Sequence, residues 1–217
     1  DVSLGGATDA TCQVSPPQRG WPFTYCTRHA LSRAHTRLKQ NVARGRVRFR
    51  RMSAGSSAAL PGGTSRQRPN VLITGTPGTG KTTFAAALIE RAPTLTGVDV
   101  GQMVRDKQLH HGWDDQYESY VLDEERLLDE LEDELEPGGR VVEYHAAELF
   151  PERWFDLVLV LRVDNSVLYS RLEERGYSAH KLQENVEAEI MQVILDEARE
   201  SYREEIVVEL PSNTTED

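Results

Sequence analysis

From residue 69 onward, apolar positions along the chain alternate between two rhythms. Short continuous runs, Val71-Leu72-Ile73-Thr74 and Leu157-Val158-Leu159-Val160-Leu161 most clearly, have the length and β-branched content of strands buried on both faces. Between such runs the spacing widens to that of helices. Over residues 123–136, Leu127, Leu128, Leu131 and Leu135 fall on one face of an otherwise acidic segment. The pattern predicts strands over residues 71–74, 95–100, 140–144, 156–163 and 206–210. It predicts helices over 83–91, 102–109, 123–136, 166–175 and 181–205, the third stopped by Pro137-Gly138-Gly139 and the last strand closed by Pro211. Alternating strands and helices imply an α/β fold, with a parallel five-stranded sheet covered on both faces and the ligand beyond the strands' carboxyl ends. No internal repeat is visible.

Residues 1–68 follow neither rhythm. Pro16-Pro17, Pro61-Gly62-Gly63 and the small residues from Ser53 to Ser57 flank an arginine-rich stretch, with few apolar positions to offset the entropy of ordering. Charge divides the chain at the same region. Residues 1–51 hold ten basic and two acidic residues, a balance of +8, so the remaining 166 carry −18 within the net −10. The division is therefore a basic, poorly structured extension (1–68) and a folded unit (69–217). Three readings of the extension stay open: an RNA-binding or nuclear-targeting arm, an organelle transit peptide, and an artefact of gene prediction with the true start at Met52. Both cysteines, Cys12 and Cys26, lie in the extension, which argues against a disulfide framework and for a reducing compartment. With His29 and His35 they match no familiar zinc-finger spacing. No apolar run approaches the roughly twenty residues that cross a bilayer, so no membrane partner is expected.

Directly after the first strand stands Gly75-Thr76-Pro77-Gly78-Thr79-Gly80-Lys81-Thr82, the full G-x-x-x-x-G-K-[ST] phosphate-binding loop, followed by a segment of high helix propensity. Its glycines let the backbone curl so that successive amides point at one anion, at the positive end of the next helix. This identifies a P-loop NTPase fold with ATP as ligand and Mg2+ as cofactor. Gly78, Gly80, Lys81, Thr82 and Thr83 are the ATP-binding candidates, Lys81 for the β- and γ-phosphates and Thr82 for the metal. Further on, Arg171 and Arg175 stand four residues apart on one predicted helix face, before Gly176. Planar guanidinium groups neutralise charge on a transferring phosphoryl group, and surface pairing with Glu174 is the simpler alternative.

Together with the phosphate loop, Leu122-Asp123-Glu124-Glu125-Arg126, Tyr144-His145, Phe150-Pro151-Glu152-Arg153-Trp154-Phe155, Arg175-Gly176-Tyr177 and Leu210-Pro211-Ser212-Asn213 resemble the adenylate kinase isoenzyme 6 family. The resemblance spans about residues 69–213. It implies a nucleoside monophosphate kinase of short-lid type that transfers the γ-phosphoryl group of ATP to AMP and also hydrolyses ATP. It further implies a role in small ribosomal subunit maturation, location in nucleus and cytoplasm, and a basic small-subunit ribosomal protein as partner. No sequence-specific contact with nucleic acid is expected, and the chain is expected to be a monomer or weak homodimer. Family members continue into a final helix, so the chain is expected to be truncated at its carboxyl end.

Carried onto this sequence, Lys81, His145, Arg171 and Arg175 are the expected catalytic residues, with Arg175 on the ATP phosphates. Residues 98–122 form the monophosphate-binding segment. Arg105 is the choice for the acceptor phosphate on spacing alone, a solvent-facing helix charge being the alternative. Where the family has Asp-x-His, this chain has Glu143-Tyr144-His145. Glu143 still offers a carboxylate to magnesium, generally through water, but from one methylene further out, which predicts retained but slower turnover. Trp154 and Phe155 are expected to pack in the core. Glu130, Glu132, Asp133, Glu134 and Glu136 are either a solvated face or the surface that meets the basic partner. An ATP-driven assembly switch with little kinase activity remains the alternative to a small-molecule kinase. A metabolite kinase, such as one for shikimate, fits the loop but not the Tyr144-His145 and Phe150 to Phe155 segments.

Overall fold

The computed structural model describes residues 66–114 and 119–215, and apart from these only the two-residue strand β1 (Tyr25–Cys26). The remainder of the basic extension, including the side chains of Cys12, Cys26, His29 and His35, lies outside the described residues. From residue 66 the order is β2 (Val71–Thr74), α1 (Lys81–Arg91), β3 (Thr96–Asp99), α2 (Val100–Asp106), β4 (His110–Asp114), β5 (Ser119–Leu122), α3 (Glu124–Leu135), β6 (Arg140–Glu143), β7 (Leu157–Arg162), α4 (Asn165–Glu174), α5 (Ala179–Ile190), α6 (Val193–Ser201) and β8 (Val207–Pro211).

Five strands, all parallel, lie in the order β3-β6-β2-β7-β8. The central strand β2 is buried along its whole length, which is why its four residues read as a continuous apolar run. Successive side chains point to opposite faces. Leu72, with Val98, Val142 and Val158, faces a core closed by Leu127 and Leu131 of α3 and by Leu195 of α6. Val71 and Ile73, with Val141 and Leu159, meet Ala85 of α1 and the flanking Phe84 and Leu88. Helices therefore cover both faces, as the alternation predicts. A third cluster, Val163, Leu168, Leu172 and Leu182, packs α4 against α5. No helix among the described residues is long and apolar enough to cross a membrane.

Asn70, the residue before β2, is fully buried and fully used. Its Nδ2 donates to the carbonyls of Leu135 (2.8 Å) and Trp154 (3.0 Å), and its Oδ1 accepts from the Arg140 amide (3.0 Å). One side chain thus ties the end of α3, the start of β6 and the approach to β7. Trp154 and Phe155 are buried in the larger core, as expected, and Phe150 joins them, around a single 3-10 turn over Glu152–Trp154.

Two elements differ from the sequence pattern. The single helix predicted over 181–205 is two, α5 and α6, separated at Met191 and Gln192, where Gln192 adopts φ 58°. Leu182, Val186, Ile190 and Ile194 keep an i, i+4 rhythm across the break, and no glycine or proline marks it. The turn leaves Ile190 53% exposed while seating Leu195 in the core and Glu189 inward. Within residues 98–122, β4 and β5 form an antiparallel hairpin, to which β1 adds in parallel register. Its residues, His110-His111-Gly112-Trp113-Asp114, are too polar to announce a strand.

Candidate active site

The phosphate loop leaves β2 at the point where chain order reverses across the sheet, with β6 on one side and β7 on the other. Two of its glycines are required by contact. At Gly75, φ is 143° and an added Cβ would lie 2.6 Å from the Leu161 carbonyl of β7; at Gly78, φ is 95° and a Cβ would lie 2.9 Å from Leu168 of α4. The loop is thus pressed between sheet and helix. Its inner hub is the Thr76 carbonyl, which accepts from the Thr79 amide (3.2 Å), the Thr79 hydroxyl (2.9 Å) and Lys81 Nζ (3.1 Å). Lys81 Nζ also donates to the Gly75 carbonyl at 2.8 Å. Gly80 supplies no side-chain cap to α1, so the first amides of that helix are left for an anion.

Burial pushes the Lys81 ammonium down from its usual 10.5 to about 8; Glu143, Glu189 and Asp99 oppose the fall and the Arg175 charge adds to it. Lys81 is therefore a half-buried cation held by two loop carbonyls, poised to gain from a phosphate's negative charge.

Beside it, the Thr82 hydroxyl donates to Glu143 Oε1 at 2.5 Å. Glu143 ends β6 in register with Asp99, which ends β3. Asp99 also caps α2, its Oδ1 accepting from the Gln102 amide at 2.9 Å. Burial raises the Glu143 carboxyl above its usual range; Asp99 raises it further, while the Thr82 hydrogen bond and Lys81 hold it down. A hydroxyl bonded to one carboxylate, with a second carboxylate at the end of the neighbouring strand, is a hard-oxygen set suited to magnesium. Among the described residues no group of three or more His, Cys, Asp and Glu side chains is arranged to hold an ion. Asp99 was not singled out in the sequence, where only its place at the end of a predicted strand marks it.

On the other flank a cleft of about 880 Å³ runs from the loop between α1, α4 and the carboxyl-terminal segment, with Gly78, Gly80, Thr83, Arg171, Arg175 and Ser212 in its lining. Arg171 does not pair with a neighbouring acid in the way a surface charge would. Its Nη1 donates to the Ser212 carbonyl (3.0 Å) and its Nη2 to that of Asn213 (2.7 Å), with Gly78 O 3.4 Å from Nη1. Ser212 Oγ donates to the Thr79 carbonyl at 2.7 Å, so Leu210-Pro211-Ser212-Asn213 closes the cleft. Arg175 caps α4 and is exposed before Gly176.

Other candidates stand elsewhere. Arg105 is exposed in the last turn of α2 and His145 is half-buried after β6, its ring 4.4 Å from that of Tyr144; neither lines this cleft. Of the five acids of α3 and its end singled out as a partner surface, Glu130 pairs with Lys107, Glu132 with Arg153 (2.7 Å) and Glu134 with Arg140 (3.0 Å), while Asp133 and Glu136 face solvent.

Comparison with known proteins gives the chain its family. Residues 71–192 match the family described as an AAA domain. An adenylate kinase isoenzyme 6 homolog of Dictyostelium discoideum is 55% identical over 152 residues, covering 70% of this chain and 86% of the relative. One of Caenorhabditis elegans is 51% identical over 154 residues, covering 70% and 84%. In three dimensions the chain is similar to a shikimate kinase from Bacteroides thetaiotaomicron, with a TM-score of 0.50 at 17% identity over 69% of this chain and 89% of that one, a likeness of fold. With its phosphate loop, its five-stranded parallel sheet and these relatives, the chain belongs to the adenylate kinase isoenzyme 6 family of P-loop proteins.

Proposed function

We propose that this chain transfers the γ-phosphoryl group of ATP to a nucleoside monophosphate, AMP in the first instance, and hydrolyses ATP slowly when no acceptor is bound. The observation that carries this is the arrangement around one loop: half-buried Lys81 and uncapped helix amides for phosphates, Arg171 and Arg175 on one side, Thr82 with Glu143 on the other. Magnesium, held by Thr82 and by Glu143 through water, would neutralise phosphate charge. Lys81 swings from the carbonyls of Gly75 and Thr76 onto the β- and γ-phosphates. Arg175 reaches the same oxygens from the exposed end of α4, while Arg171 keeps the carboxyl-terminal segment closed. In this reading His145 orients the attacking water for hydrolysis, and Arg105 meets the acceptor phosphate.

The test is ADP formation with and without AMP, compared with Lys81→Ala. AMP-stimulated ADP release at two ADP per ATP consumed, lost in Lys81→Ala, is expected. Hydrolysis indifferent to AMP would overturn the kinase and leave an ATP-driven switch. That second reading draws on the family resemblance: attachment to a basic small-subunit ribosomal protein, in nucleus and cytoplasm. Asp133 and Glu136 offer such a partner two open acids, since the other three acids of the row are engaged within the chain.

A further inference from the structure

Glu189 is the one buried acidic side chain among the described residues, 2% exposed, and it lies at the phosphate loop although 113 residues separate it from Thr76 in the sequence. Its two oxygens face two different parts of the site. Oε2 accepts from the Thr76 hydroxyl at 2.5 Å. Oε1 accepts from Arg162 Nε at 2.5 Å and from the Val163 amide at 3.3 Å, at the end of β7. Arg162 in turn donates through Nη2 to the Glu189 carbonyl (3.1 Å) and through Nη1 to Glu209 of β8 (3.1 Å). Every oxygen of the carboxylate thus has a donor, as a buried charge requires.

The position of Glu189 gives this network a direction. It stands one residue before the end of α5, the helix that returns from the turn at Gly176 where the family resemblance puts the short lid (α4 and α5 forming the lid hairpin), and the chain breaks sharply just after it, at Gln192 with φ 58°. A continuous helix through this region would not need that left-handed residue. At the other end of the bond, Thr76 is the loop's hub, whose carbonyl holds Thr79 and Lys81. A shift at the base of the lid hairpin therefore moves the residue that holds the phosphate-binding lysine.

We propose that Glu189 is a positioning residue for the nucleotide site: through the Thr76 hydroxyl it fixes the curl of the phosphate loop and ties that loop to the base of the lid hairpin. This rests on the reading of the loop as a nucleotide site, and not on which acceptor is used. Removing the carboxylate outright would leave Arg162 Nε and the Val163 amide without their acceptor and endanger folding, so Thr76 is the better place to cut. Thr76→Val keeps the shape and deletes the donor; Thr76→Ser keeps the donor; Glu189→Gln keeps the shape and deletes the charge.

Titration of the full chain with mant-ADP, beside thermal melting of each variant, tests the role. Thr76→Val is expected to weaken mant-ADP binding about tenfold, the scale of one hydrogen bond to a charged group, and to lower the melting temperature as well, since one oxygen of a buried carboxylate loses its donor. Thr76→Ser should restore binding to within about twofold of the parent, and Glu189→Gln should weaken binding several-fold while adding nothing further in the Thr76→Val background. Equal affinity of Thr76→Val and parent overturns the role of Glu189 alone. A loss of affinity that simply follows a fall in melting temperature, unrelieved by Thr76→Ser, overturns it too and leaves the pair as fold packing. A parent chain that binds no mant-ADP overturns the nucleotide reading itself, and the role with it.

Discussion

Two residues in the site carry a charge that their surroundings oppose, and each makes a prediction. Lys81 must be protonated to attract phosphate, yet burial lowers it to about 8. The protonated form dominates at neutral pH and is lost as pH rises through 8, so nucleotide affinity should fall above that value and plateau below it. Bound phosphate raises the lysine's pKa, so binding above pH 8 takes up a proton. Isothermal titration of ADP at pH 7 and pH 9 in buffers of different ionisation heat measures that proton directly; a pH-independent affinity would contradict it. Glu143 is the second case. Its Oε1 accepts from the Thr82 hydroxyl at 2.5 Å, so the two groups proposed to hold magnesium occupy each other. Glu143→Asp withdraws the carboxylate by about one carbon–carbon bond and opens that contact to water. Turnover should rise and half-saturating magnesium should fall; unchanged values would mean that the methylene is immaterial.

At the level of elements, the pattern was legible wherever a segment's structure depends on its own residues. Strand β2, the phosphate loop, α1 and α3 follow from apolar runs, glycine spacing and an Asp123 cap whose Oδ1 accepts from the Arg126 amide. What was not legible depends on distant partners. Helices α5 and α6 share one rhythm in sequence and are separated by what Glu189 and Leu195 each reach. Asp99 looks like an ordinary helix cap until β3 pairs with β6 and sets it beside Glu143. Asn70 is the plainest instance, a polar residue before a strand whose three hydrogen-bond partners are at least 65 residues away. Asn70→Ala strands two carbonyls and one amide in the core. It should cost about 3 kcal/mol, or roughly 6–12 °C in melting temperature for a domain of this size. Thermal melting beside Gln183→Ala, an exposed control, checks this; a loss below about 1 kcal/mol would show that water replaces the amide.

At the scale of the whole molecule, the phosphate loop is connected to every element that closes on it. Thr76 reaches α5 and β7 through Glu189; Thr79 reaches the carboxyl-terminal segment through Ser212; Gly78 packs on α4, whose Arg171 holds the carbonyls of Ser212 and Asn213. Arg162 links the end of β7 to Glu189 and to Glu209 of β8. A ligand that orders the loop should therefore order the end of α5 and the carboxyl-terminal segment as well, because their hydrogen bonds terminate on it. ADP at about a hundred times its dissociation constant should stabilise the fold by about 2.7 kcal/mol. Amide hydrogen exchange should slow under that ADP at the end of α5 and across residues 207–213, in addition to residues 75–83. The hairpin of β4 and β5, which shares none of these bonds, provides the internal comparison. Protection confined to residues 75–83 would show that the loop binds its ligand alone. Protection reaching β8 but sparing α5 would place the connection in Ser212 and Arg171, with Glu189 a bystander.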